Sequence, residues 1–227
     1  MKNINLDERL KCAADFVRRG SVVADIGTDH GYLTAYLIQS GIISKALACD
    51  INKGPLDSAQ KTMYHYNCAD KVTLRLSDGL EHVQPNECDD IVIAGMGGEL
   101  IVSIIDKAPW LKDSHYRLIL QPMSKPEILR RYLLINGFDI LDESPAFAAG
   151  RYYSVICAEF VGNSRQCDDF FAHIGKLCDK KDEKSAGYKR LAVRKLTKQA
   201  NGLKTKDENS AQAKALFELI ESIEQSI

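Results

Sequence analysis

Through its first 162 residues the chain alternates short β-branched apolar runs with stretches whose apolar positions recur every three or four residues. That alternation is the pattern of a parallel sheet covered by helices. Strands are predicted at Val22–Ile26, Lys45–Cys49, Val72–Leu76, Asp90–Ala94 and Arg117–Gln121, with a later pair at Phe138–Leu141 and Tyr153–Phe160. The stretch 144–151, which contains a proline and a glycine, is expected to join that pair as a hairpin at the sheet edge. Beyond Gly162 the strand signals stop. Phe170, Phe171, Ile174 and Leu177 fall at helical spacing, as do Leu191, Leu196 and Leu203, and then Leu216, Leu219, Ile220 and Ile223. Gly202 and the polar stretch 204–210 predict the turn of an antiparallel helical hairpin.

The expected fold class is therefore α/β, with a Rossmann-like domain over residues 1–162 and a small all-α helical hairpin or coiled-coil domain over 163–227. At 227 residues the chain is long enough for both. Composition adds little beyond an ordinary globular balance, 45% hydrophobic and 27% charged. No apolar run approaches the ~18 residues of a membrane span. The N-terminus Met1-Lys2-Asn3-Ile4-Asn5 has no leader-like apolar stretch, so a cytoplasmic location is expected. Seven cysteines without any C-x-x-C are read as reduced, mostly buried thiols rather than a disulfide framework or a zinc knot.

The segment Val22 to Leu33 carries most of the chemistry: a buried strand ends in an acidic, glycine-bearing turn, Asp25-Ile26-Gly27-Thr28-Asp29-His30-Gly31, that opens a helix. In the dinucleotide fingerprint G-x-G-x-x-G the middle position is a glycine, because a pyrophosphate packs against the backbone there. Here it is Asp29, which would repel a pyrophosphate. S-adenosylmethionine (SAM) has no phosphate and presents a sulfonium and an ammonium, so Asp25 and Asp29 favour SAM over a nicotinamide cofactor. Asp50 ends the second strand near the spacing of a ribose-binding acid. Asp78, in Ser77-Asp78-Gly79, ends the third strand and is placed to accept from an adenine amino group. Each of the two also reads singly as a helix cap or turn aspartate. The fourth strand runs into Ala94-Gly95-Met96-Gly97-Gly98-Glu99, at the switch point where ligands bind in open α/β sheets.

Charge is divided unevenly. Residues 1–162 hold 17 Lys+Arg against 21 Asp+Glu, and residues 163–227 hold 13 against 10. Between Lys184 and Lys206 there are eight basic residues and no acid. Arg190, Arg194 and Lys198 recur every four residues as one stripe on a helix, and with Lys189 and Lys195 they form the expected contacts to a nucleic-acid phosphate backbone. The competing reading is an idle basic surface.

Together, ADIGTDHGYL, ACDINKGPL, SDGL, IAGMGGEL and LILQPM resemble the bacterial TrmK family, the tRNA (adenine(22)-N(1))-methyltransferases, over nearly the whole chain. The resemblance implies a class I methyltransferase domain, SAM as methyl donor, no metal, and tRNA as acceptor. It places SAM against Arg9, Asp25, Gly27, Asp29, Gly31, Asp50, Ile51, Asp78, Gly79, Ala94 and Gly95, and the reacting base near Asp29, His30, Met96 and Gly97. The chain departs from the general class I pattern in lacking the middle glycine and any N/D-P-P-Y motif after the fourth strand. His30 reads either as orienting the base or relaying a proton, or as a histidine bonded to backbone at a helix start. Met96 reads as a wedge or as core, and Tyr32 as packing ahead of stacking. Three other readings stand beside this one: a Rossmann oxidoreductase, a non-catalytic RNA-binding protein that keeps the pocket as a relic, and, remotely, a metal hydrolase on Asp29-His30, although the five histidines show no ligand spacing.

Overall fold

Four consecutive buried residues, Val23–Ile26, form β1 in the interior of the sheet. The computed structural model describes residues 4–227, so Met1, Lys2 and Asn3 of the N-terminal segment lie outside the described residues. Around β1 the chain lays down α1 (Glu8–Phe16), α2 (Tyr32–Gln39), β2 (Ala46–Asp50), α3 (Lys53–His65), β3 (Val72–Leu76), β4 (Asp90–Gly97) and α4 (Gly98–Asp106). It continues with β5 (Arg117–Ser124), α5 (Pro126–Ile135), β6 (Phe138–Ala148), β7 (Arg151–Phe160), α6 (Asp169–Ile174), α7 (Glu183–Lys206) and α8 (Ala211–Glu224).

The sheet runs in the order β3-β2-β1-β4-β5-β7-β6. Neighbours from β3 through β5 pair in parallel, and β7 pairs antiparallel with both β5 and β6. Alternation along the strands divides the core. Ala24 and Ile26 of β1 pack with Ile101, Ile104 and Leu133 of α4 and α5, while Val23 packs with Ala13, Leu37 and Met63 of α1, α2 and α3. Helices thus cover both faces, and the chain crosses from one face to the other between β1 and β4. Ligands bind at that switch point, outside the carboxyl ends of the strands.

All seven expected strands form, and the last pair differs from its expected extent. β6 continues through Pro145 to Ala148, and β7 starts at Arg151, so the connection shrinks to Ala149 and Gly150. Both have positive φ, 48° and 74°, as a two-residue hairpin turn of right-handed strands requires. Pro145 is tolerated because β6 is an edge strand. Gly202 likewise does not break its helix: α7 carries it through to Lys206, at a propensity cost of about 1 kcal/mol relative to alanine. The turn falls at 207–210, and Ser210 caps α8 by accepting from Ala213 N.

The helices after β7 form their own cluster, in which Ile174, Leu177, Tyr188, Leu196, Ala200 and Ile223 are buried. Phe171 of α6 instead packs on the sheet core, so α6 bridges the two clusters. The tie is completed by a buried ion pair. Arg130 Nη2 lies 2.8 Å from Glu143 Oε2, with both side chains fully buried. The same guanidinium donates to Ala172 O (2.8 Å), His173 O (3.0 Å), Ser154 Oγ (2.9 Å) and Tyr188 Oη (3.1 Å), joining α5, β6, β7, α6 and α7.

One expected phosphate contact is corrected. Lys189 is fully buried. Its Nζ donates to Cys178 O (3.1 Å), Lys180 O (3.2 Å) and Ser226 O (2.7 Å), so its charge caps chain ends inside the helical cluster and does not face solvent. Burial pulls its pKa down. Arg190, Arg194, Lys195 and Lys198 remain exposed, and Arg190 is ion-paired with Glu183.

Candidate active site

The turn after β1 is shaped by backbone that few residues adopt. Gly27, Asp29 and Gly31 have φ of 74°, 52° and 70°. A side chain at Gly27 would strike the Met96 methyl. Asp29 is one of the few non-glycine types that tolerate this conformation, and its side chain is 71% exposed. Gly31 caps α2, and a Cβ there would come within 2.6 Å of Met63 Cε and 3.1 Å of Ala59 Cβ. Its glycine therefore serves the packing of α2 against α3, and it does not line the cavity.

That cavity, about 560 Å³, opens at the carboxyl ends of β1, β2, β3 and β4. Arg9, Asp25, Gly27, Asp29, Asp50, Ile51, Asp78, Gly79, Ala94 and Gly95 all line it, as do His30 and Met96. Gly97 does not. It is the N-cap of α4, and a Cβ there would lie 3.2 Å from Ser124 Oγ. Gly95, at φ 84° beside an irregularity in the β4–β5 pairing, has nothing within 4 Å of where a Cβ would stand. A flat group can therefore approach its backbone closely.

Asp25 is 4% exposed, and its Oδ2 accepts from Thr28 Oγ1 (2.7 Å) and Thr34 Oγ1 (3.0 Å). No donor among the described residues is bonded to its other oxygen. Burial raises its pKa, the two threonine hydroxyls oppose that, and the charge of Asp50 adds to the rise. A buried carboxylate in this state is stabilised by an incoming cation. Asp50 is held at the end of β2, accepting from Asn52 N at 2.9 Å, and Asp78 is exposed just beyond the neighbouring strand β3. Among the described residues His30 makes no backbone hydrogen bond: its Nε2 lies 3.7 Å from Asp29 Oδ1, and its ring stacks on Tyr32 at 5.8 Å. Tyr32, expected as packing, is 46% exposed.

Several groups in or behind the cavity wall were not singled out from sequence. Thr28 and Thr34 hold Asp25. Leu100 and Ile104, one turn apart on α4, supply an apolar wall. Gln121, fully buried, accepts through Oε1 from Arg9 Nη1 (2.9 Å) and Gly95 N (3.1 Å), fixing α1 and the β4 turn on one atom. Gln121 stands in the LILQPM segment, and its partners lie far away in sequence. Among the described residues no group of three His, Cys, Asp or Glu is placed to hold a metal, and no helix is long and apolar enough to cross a membrane. All seven cysteines are free thiols, and burial pushes Cys49 and Cys88 up to about 12.

Residues 6–156 match the family described as Methyltransferase domain. A Bacillus subtilis tRNA (adenine(22)-N(1))-methyltransferase is 35% identical over 159 residues, 70% of this chain and 67% of that protein. The chain belongs to the TrmK family. The crystal structure of the B. subtilis m1A22 tRNA methyltransferase TrmK superposes with a TM-score of 0.83 at 28% identity, covering 99% of this chain and 98% of that one. A Streptococcus pneumoniae relative solved in complex with SAM gives 0.80 at 30% identity, covering 98% and 99%. Coverage of TrmK extends through the helices after β7, so those helices belong to the shared architecture.

Membership in TrmK gives the acidic turn its direction of charge. If Asp25 meets a cation, its ionised form is the binding form, and a proton competes with SAM. Because the folded pKa is raised, SAM affinity should fall on acidification through a midpoint above the ordinary aspartate value of about 3.9. The free protein behaves with opposite sign: the penalty for the buried charge is present above the folded pKa and disappears as pH falls below the unfolded value. Asp25→Asn, which can still accept from both threonines, should therefore hold or raise the melting temperature near neutral pH while weakening SAM binding about 10- to 100-fold. Calorimetric titration over a pH series checks both. Unchanged affinity in the variant would remove Asp25 from the ligand.

Proposed function

We propose that this chain transfers the methyl group of SAM to N1 of adenine 22 in tRNA, with residues 1–162 performing the chemistry and 163–227 gripping the RNA. The observation that carries the reading is the acid-lined cavity at the first strand-to-helix turn, centred on buried Asp25, in a TrmK-family chain. The donor set suits SAM: Asp25 and Asp29 for its positive end, Asp50 for ribose hydroxyls, and Asp78 with Leu100 and Ile104 for adenine. Bound SAM supplies an electrophilic methyl group on a sulfonium.

Adenine N1 bears an in-plane lone pair and no proton in the neutral base, so no general base is needed. The chain has to orient the base at near-attack distance, about 3 to 3.5 Å, and exclude water. N1 lies on the pairing edge, so the adenine must leave its stack, at a cost of a few kcal/mol. His30 and Tyr32, stacked at the rim, and Met96 on the wall offer surfaces to receive it. The methylated base is cationic, and Asp29, on the same rim, stabilises the charge as it develops. A cytoplasmic location goes with this substrate.

Transfer of label from SAM to tRNA, compared with a tRNA in which adenine 22 is replaced by guanine, tests the reading. Labelling should vanish with the replacement, and equal labelling would refute it. The exposed stripe gives a separate expectation. Neutralising Arg190, Arg194 and Lys198 together should weaken tRNA binding and reduce the salt slope by up to about 3, and by less where Arg190 already shares its charge with Glu183. SAM affinity should not move, and a parallel loss of SAM binding would contradict the division of labour.

A further inference from the structure

A second groove, about 330 Å³, lies between the sheet and the helical cluster. One wall is the segment from Pro122 to Glu127, where β5 passes into α5. The floor is Tyr152 and Tyr153 of β7, and the other wall is the face of α7 that presents Ala192, Lys195 and Gln199. Helix and floor are fitted closely: a side chain at Gly187 would collide with the Tyr152 ring.

The groove opens at the same edge of the sheet as the SAM cavity. The antiparallel pairing of Leu120 with Ile156 carries Tyr152 and Tyr153 to the carboxyl end of β5. One residue connects the two sites. Arg9 lines the SAM cavity, stands 3.4 Å from Met123 Sδ, and lies over the Tyr153 ring at 5.6 Å; Met123 and Tyr153 line the groove.

The lining mixes aromatic and apolar surface with a cationic rim. Lys125 is paired with Glu99 at 2.7 Å. Lys195 is exposed, with no ion pair among the described residues. Glu127 is the carboxylate on the opposite side, and burial lowers the pKa of the lining His173. Aromatic platforms beside a cation are what single-stranded nucleotides stack on.

We propose that this groove seats a nucleobase adjacent in sequence to the methylated adenine, stacked beside Tyr152, with Lys195 on its phosphate. This rests on the tRNA reading above and deepens it. Holding the neighbour in one groove while the target adenine enters the other cavity fixes the splayed strand on both sides of Arg9. It also explains why Lys195 faces the sheet while Arg190, Arg194 and Lys198 form the outer stripe.

The test compares wild type with the groove-filling variants Ala192→Phe and Gln199→Trp. Each is assayed on intact tRNA and on tRNAs carrying an abasic nucleotide on either side of adenine 22. Methylation of intact tRNA by wild type tests the parent reading alone. Given that activity, each filled variant should raise KM for tRNA about tenfold, leaving kcat and SAM affinity within about twofold. One of the two abasic tRNAs should show a similar rise with wild type and no further rise with the variants. An unchanged KM in a variant with wild-type melting temperature would overturn the proposal. So would abasic penalties that add in full to those of the variants, whether the groove then holds a protein partner, a small molecule or nothing.

Discussion

Arg130→Met is expected to destabilise the folded chain by about 3–5 kcal/mol, because it leaves the Glu143 carboxylate buried without its counter-charge. The loss also strips a donor from Ala172 O and His173 O, the carbonyls through which α6 is fastened to α5. For a chain of this length the shift in melting temperature should be on the order of 10 °C. Replacing both partners by apolar residues of similar volume should recover part of the loss, since the desolvation penalty of the pair vanishes with it. Thermal or urea unfolding of the single and double variants decides. A single variant melting within about 2 °C of wild type would mean that water or another cation reaches Glu143.

Asp29→Asn should lower kcat for tRNA methylation about 100-fold, with the melting temperature and the fold around the turn preserved. Asparagine also accepts positive φ, so the substitution removes the charge and leaves the backbone in place. Alanine would add strain of about 1 kcal/mol and confuse the two effects. Asp29 is exposed in the free chain, so its electrostatic effect develops once RNA covers the rim and lowers the local dielectric. Single-turnover methylation measures this directly, and a variant that turns over at the wild-type rate would assign the developing charge to another group.

The acids of the first turn were legible because their chemistry is local: strand, glycine, carboxylate and helix follow one another within ten residues around Asp25 and Asp29, and Asp50 and Asp78, at the ends of later strands, reach the same cavity. Gln121 was not legible as a link, because it joins Arg9, 112 residues away, to Gly95. Gly31 and Gly97 read as ligand-facing because their motifs do, yet their missing side chains make room for α3 and for Ser124. Lys189 shows the limit of charge counting. It shares a basic run with Arg190, but one residue of rotation on α7 turns it inward onto three carbonyls from residues 178, 180 and 226. The hairpin strands run further than their apolar signal, because Pro145 is accommodated on an edge strand.

The most direct measurement is nucleotide-resolved mass spectrometry of unmodified tRNA incubated with the purified chain and SAM. The account predicts one new methyl group, on N1 of adenine 22, dependent on Asp29. A methyl group on another nucleotide or another atom of that base, or none at all with SAM bound, would contradict it.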